Sequence, residues 1–148
     1  MFILLADSNK FFVTVLQAML SKAGFNSIEC ADNGLECLKQ VSRNDSPDVI
    51  IIDESLCYVD GSDIVEKLRF SKPETRIIIL TCVDSTFNIN LLPDKGHIFL
   101  MEKSCVNAEN LPQVLYNIFT EKISSIRVPQ QNRVFLSLRR SFTGMLNF

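Results

Sequence analysis

Residues 49 to 53 read Val-Ile-Ile-Ile-Asp, four branched aliphatics that end on a carboxylate. A strand can be apolar at every position only if both of its faces are covered, so the run belongs inside a parallel sheet with helices on each side. A bare acid at the end of so dry a strand needs a reason, because a carboxylate away from water survives only with partners. Glu54 follows it directly, and Gly61 eight residues on suits a sharp turn of the loop into the next element.

The rest of the first 122 residues alternates between two hydrophobic periods. FILLA (2 to 6) is a short apolar run, and Phe12, Leu16, Met19 and Ala23 then recur at helical spacing before Gly24 as a stop. SIECA (27 to 31) reads as a second strand. Asp32 or Asn33 can cap a helix bearing Leu35, Leu38 and Val41, which ends at Asn44-Asp45-Ser46-Pro47. After DVIII (48 to 52), Ser62 is placed to cap a helix carrying Ile64, Val65 and Leu68, and RIIILT (76 to 81) follows Pro73. The stretch 84 to 95 holds Asn88, Asn90 and Pro93, poor helix material. HIFLM (97 to 101) reads as a last strand. A helix over 110 to 122 carries Leu111, Val114, Leu115 and Ile118, with Pro112 confined to its first turn.

Composition excludes other classes. With 148 residues, 47% hydrophobic and 22% charged, the chain holds about one globular domain and is not a disordered segment. It has no apolar run of membrane-spanning length, and its first residues lack a signal-peptide pattern, so the cytoplasm is the expected location. Five cysteines without C-x-x-C spacing predict reduced thiols rather than a disulfide framework or a zinc site. His97 has no partner spaced to share a metal with it and reads as structural.

Five strand-helix units predict an α/β fold, the flavodoxin-like doubly wound five-stranded parallel sheet of order 2-1-3-4-5. Its ligand crevice lies beyond the carboxyl ends of the strands, at the switch point between the first and the third. Asp7 and Ser8 end the first strand, Asp53 the third and Thr81 the fourth, and Lys103 follows the fifth. These polar groups therefore converge on the one edge where such a fold binds ligands.

The strings LLADS (4 to 8), DVIIIDESLCYVDG (48 to 61), IIILTC (77 to 82) and FLMEKS (99 to 104) occur in that order on the ends of those strands. Together they resemble the CheY-like receiver domain of two-component response regulators, over residues 1 to about 122. The resemblance implies a phosphorelay role: Asp53 as phosphoacceptor from a sensor histidine kinase, a phosphotransfer protein or a small phosphodonor, Thr81 in contact with the phosphoryl oxygens, and Lys103 paired with them. It also implies Mg²⁺, with Asp7, Asp53 and the Ser55 backbone carbonyl as ligands. The chemistry agrees, since charge gathering on the transferred group must be neutralised and Mg²⁺ takes oxygen donors.

Departures from the family pattern carry their own expectations. Ser8 stands where relatives have a second acid, so it would ligate weakly or through water and the affinity for Mg²⁺ would fall. Leu56-Cys57 replaces a frequent Met-Pro pair. Leu100 stands three residues before Lys103, where relatives often have a Tyr or Phe that swings inward, and Phe99 points to the other face. Each site residue also has a plainer reading: Asp53 could cap a turn and Lys103 could be a surface lysine. Glu54 and Glu102 read as rim charges, and Cys57 and Cys82 as small buried hydrophobes.

Residues 123 to 148 form a separate segment, a linker plus an amphipathic helical tail. Residues 1 to 122 hold 11 Lys and Arg against 17 Asp and Glu, a net of −6, whereas the tail holds four Arg and no acid. Phe135, Leu138, Phe142 and Met145 recur at helical spacing in it. Packing on the domain or on a second copy is the leading expectation, ahead of a partner groove or an anionic membrane surface. Four arginines are too few for an independent phosphate-tracking surface, so no direct nucleic-acid binding is expected.

Three functions compete. One is a receiver that signals through altered contacts with a downstream protein or in a homodimer, through residues 110 to 148. Another is a pseudo-receiver, a phosphorylation-independent binding or dimerisation module. The third is an enzyme using the same crevice, disfavoured because the chain has no Gly-rich phosphate loop, no nucleophile elbow and no paired general acid and base.

Overall fold

The computed structural model describes residues 1–43, 45–59, 62–87 and 97–120. The tail from 123 on, Gly61, most of the 84 to 95 stretch, and the last two positions of the helix expected over 110 to 122 lie outside the described residues. Five parallel strands, β1 (Phe2–Ala6), β2 (Ser27–Ala31), β3 (Val49–Asp53), β4 (Arg76–Thr81) and β5 (Ile98–Glu102), pair in the order β2-β1-β3-β4-β5. The expected 2-1-3-4-5 sheet is thus present. Helices α1 (Lys10–Lys22), α2 (Gly34–Val41), α3 (Ile64–Ser71) and α4 (Asn110–Phe119) run between and after them.

Alternation along the strands divides the core in two. Leu5, Ile51, Ile78 and Phe99 face one layer with Leu16 and Leu20 of α1 and Leu111, Leu115 and Ile118 of α4. Leu4, Ile50, Ile52, Ile77 and Ile79 face the other layer with Cys37 and Val41 of α2 and Ile64, Val65 and Leu68 of α3. Burying one such side chain is worth about 1.5–3 kcal/mol, so the central strands anchor both layers. Leu100 and Phe99 fall on opposite faces, as the period of two requires.

Local signals set the helix ends. Asn9 caps α1 through Phe12 N at 3.1 Å, and Asn33 caps α2 through Glu36 N at 2.9 Å. Gly24, at φ +94°, ends α1 in the left-handed conformation, with Phe25 N donating to the Leu20 carbonyl at 2.9 Å. Pro112 sits in the first turn of α4.

Some sequence expectations need correction. The cap of α3 is Asp63, which accepts from Glu66 N at 2.9 Å, not Ser62. Ser62 is occupied instead in a two-residue antiparallel ribbon, Tyr58–Val59 with Ser62–Asp63, which delays the helix start. The buried stripe of α1 is Val13, Leu16 and Leu20, one position round from the expected one. On α2, Leu35 is exposed and Cys37 takes its place in the core. Those two helices hold apolar residues on adjacent faces, and only packing decides which face turns inward. The 3₁₀ turn Glu54–Leu56 follows β3 directly, and a second, Lys103–Cys105, follows β5.

Candidate functional site

The register of the sheet puts the acid and its partners on one rim. Asp53 pairs with Leu80, one residue before Thr81, and Thr81 pairs with Glu102, one residue before Lys103. Asp7 follows Ala6, itself paired with Ile52. Asp7, Asp53 and Thr81 are only 4%, 6% and 7% exposed, and the only other buried polar residue is Thr75, so among the described residues burial of polar groups concentrates here.

Buried carboxylates demand partners, and each acid has two. The Lys103 ammonium donates to Asp7 Oδ2 at 2.8 Å and forms a short ion pair with Asp53 Oδ2. The second oxygen of each acid is held by the main chain two residues on: Asn9 N donates to Asp7 Oδ1 at 2.8 Å and Ser55 N to Asp53 Oδ1 at 2.7 Å. The Lys103 ammonium also lies 4.8 Å from the centre of the Phe12 ring. Burial alone would raise the Asp53 carboxyl, but the hydrogen bonds from Lys103 and Ser55 outweigh it and hold the group below the ordinary carboxylate range. Burial likewise works against the Lys103 ammonium, and its bonds to Asp53 and Asp7 outweigh that and raise it.

The structure therefore brings Asp7, Asp53, Thr81 and Lys103 to one edge, with Ser8 and Ser55 exposed beside it. A cation already sits between the two carboxylates, and the donors that turn toward it are all oxygens, the set a hard dication takes. Among the described residues no group of three or more His, Cys, Asp or Glu is placed to hold a metal ion. Two carboxylates, with Ser8 next to Asp7, are oxygen donors of the kind Mg²⁺ takes.

Two readings of neighbouring residues change. Glu54 is no free rim charge: it is half-buried, its Oε1 accepts from Cys82 N at 2.9 Å, and its Oε2 accepts from the Ser85 hydroxyl. Ser85 Oγ in turn accepts from Phe87 N at 3.0 Å, and the Phe87 ring lies 6.1 Å from that of Tyr58. Nothing in the pattern of residues signals these contacts, since they join segments 28 and 31 positions apart. Cys82 is exposed rather than a buried hydrophobe, whereas Cys57 is buried as expected, its thiol pushed up by desolvation. His97 precedes β5 at φ 61°, and its carbonyl accepts from Ile77 N, a structural role. A depression of about 250 Å³ lies between Thr81, Ser85, Phe87 and Leu100.

Residues 3–115 match the family model described as the response regulator receiver domain. The chain belongs to that family. As a receiver it is similar to the crystal structure of a response regulator receiver domain protein from Clostridium thermocellum, with a TM-score of 0.68 at 27% identity over 82% of this chain and 96% of that one. It is 35% identical over 86 residues to the alkaline phosphatase synthesis transcriptional regulatory protein PhoP of Bacillus subtilis, covering 58% of this chain and 35% of that one. Over 132 residues it is 26% identical to the response regulator GacA of Pseudomonas aeruginosa, covering 87% of this chain and 60% of that one. The chain thus spans between a third and three fifths of these two regulators. Receivers are signalling modules rather than classical enzymes. Among the described residues no helix is long and apolar enough to cross a membrane.

Proposed function

We propose that this receiver is controlled by phosphorylation of Asp53. One carboxylate oxygen of Asp53 attacks phosphorus in the phosphoimidazole of a sensor histidine kinase or phosphotransfer protein, or in a small acyl phosphate. The new O–P bond forms as the bond from phosphorus to the donor breaks, and the electron pair leaves with the donor. The observation that carries this reading is the single ammonium of Lys103 shared by Asp53 and Asp7 at the carboxyl edge of the sheet. Lys103 steadies the charge of the transferred group, and Thr81, at the end of the neighbouring strand, offers a hydroxyl to its oxygens. Asp7, Asp53 and the Ser55 carbonyl would hold Mg²⁺, with Ser8 reaching it through water. When bound, the ion neutralises the phosphoryl oxygens. The signal then passes to a downstream protein or a second copy of the chain, through α4 and the residues beyond it.

The alternative, a pseudo-receiver that binds without being phosphorylated, draws on Ser8 and Leu100. Titration with beryllium fluoride and Mg²⁺ separates the two. A saturable change in the resonances of Asp53 and Thr81 that disappears in Asp53→Ala supports the switch. No change at millimolar Mg²⁺ supports the binding module.

A further inference from the structure

A second carboxylate, Glu54, stands next to Asp53 in the chain, yet its partners are neutral: the Cys82 amide at 2.9 Å and the Ser85 hydroxyl. The Cys82 amide directly follows Thr81 at the end of β4, and the register sets Asp53 opposite Leu80 and Glu102 opposite Thr81, so this donor lies at the same rim of the sheet. A phosphoryl group brings about two negative charges and three strong acceptor oxygens to Asp53. The Lys103 ammonium has three protons and already serves two carboxylates. The incoming oxygens need further donors, and the main-chain donor that follows Thr81 is occupied by an anion of the same sign. The phosphoryl group and the Glu54 carboxylate have the same sign and compete for this donor, and of the two acids Asp53 is tied to Lys103 while Glu54 is held by neutral partners.

We propose that Glu54 is a built-in anion that holds the Cys82 and Ser85 donors until a phosphoryl group on Asp53 displaces it, which releases the segment that carries Phe87. The inference rests on the phosphoacceptor reading of Asp53 and names the residue that opposes it. Its route to the surface is short. Ser85 Oγ accepts from Phe87 N while its hydroxyl is committed to Glu54, so loss of Glu54 frees the hydroxyl that anchors this turn. Phe87 lies between Tyr58 and the depression beside Leu100. Phe87 and Leu100 both line that depression.

The test uses the full chain, with beryllium fluoride plus Mg²⁺ as the probe and nuclear magnetic resonance as the readout. In Glu54→Ala the half-saturating concentration falls by about tenfold, the scale of one charge-assisted hydrogen bond. The Tyr58–Phe87 ring contact, read as an inter-ring Overhauser effect, weakens before any probe is added. Glu54→Gln keeps an acceptor for Cys82 without the charge and falls between the two, and it serves as the test should Glu54→Ala not fold. An unchanged or weaker affinity in the variants, with the wild-type response intact and lost in Asp53→Ala, overturns the role of Glu54 and leaves the phosphoacceptor reading standing. No saturable response in any of the chains overturns both.

Discussion

Along β3, Val49 to Ile52 are at most 1% exposed and wholly apolar, while the next residue, one strand step of about 3.3 Å further on, is a carboxylate held by an ammonium and a main-chain amide. The body of the sheet and the two acids at its carboxyl rim are both buried, but they are stabilised by opposite means. In the body, area removed from water does the work and nothing is ionised. At the rim, two acids share one lysine, a net charge of −1 that gains little stability over an apolar rim, because desolvation offsets most of the attraction. The body is therefore expected to carry the fold and the rim the chemistry.

The sharpest way to break that division is to weaken the body alone. Ile51→Ala, at a position 1% exposed, is expected to lose about 2–5 kcal/mol in urea unfolding, while the folded fraction still responds to beryllium fluoride. Next in size is Lys103→Met, which leaves Asp7 and Asp53 buried without their common cation. Because Lys103 is itself about a quarter exposed, a loss of about 2–3 kcal/mol at neutral pH is expected, shrinking as acid protonates the pair.

The pH dependence tests the rim from the other side. The Asp53 pKa is lowered in the folded protein, so its contribution is present above the unfolded carboxylate value of about 3.9 and is lost as pH falls through the lowered folded value. The Lys103 pKa is raised, so its contribution is complete below the unfolded value of about 10.4 and is lost as pH rises through the raised one. Urea midpoints measured from neutral pH down to about 3 are expected to fall more steeply in the wild type than in Asp53→Asn. The smallest effect is at Ser8. Ser8→Asp restores a second acid near the cation and is expected to tighten Mg²⁺ binding about fivefold to tenfold in calorimetry, on the order of 1 kcal/mol.

The same division explains what could be read from the chain. Strand order and the rim positions of Asp7, Asp53, Thr81 and Lys103 were legible because runs such as Val49–Ile52 and Ile77–Leu80 admit only a sheet covered on both faces, and the strand ends then follow. Helix faces were less so. Leu35 and Cys37 are both apolar enough to turn inward, and the choice was made by packing against β1 and α3. The bonds of Glu54 to Cys82 and Ser85, and the approach of Lys103 to Phe12, were not legible at all, because they depend on how loops meet in space.

We propose that the paired acids and the lysine of the rim make Asp53 a phosphoacceptor. The most direct test is intact mass after incubation with acetyl phosphate and Mg²⁺. The expected result is the gain of one phosphoryl group, mapped to the peptide containing Asp53 and absent from Asp53→Asn, whose folded stability stays within about 1 kcal/mol of wild type because Lys103 keeps Asp7 as a partner. A mass that does not change, or a gain that persists in Asp53→Asn, would contradict it.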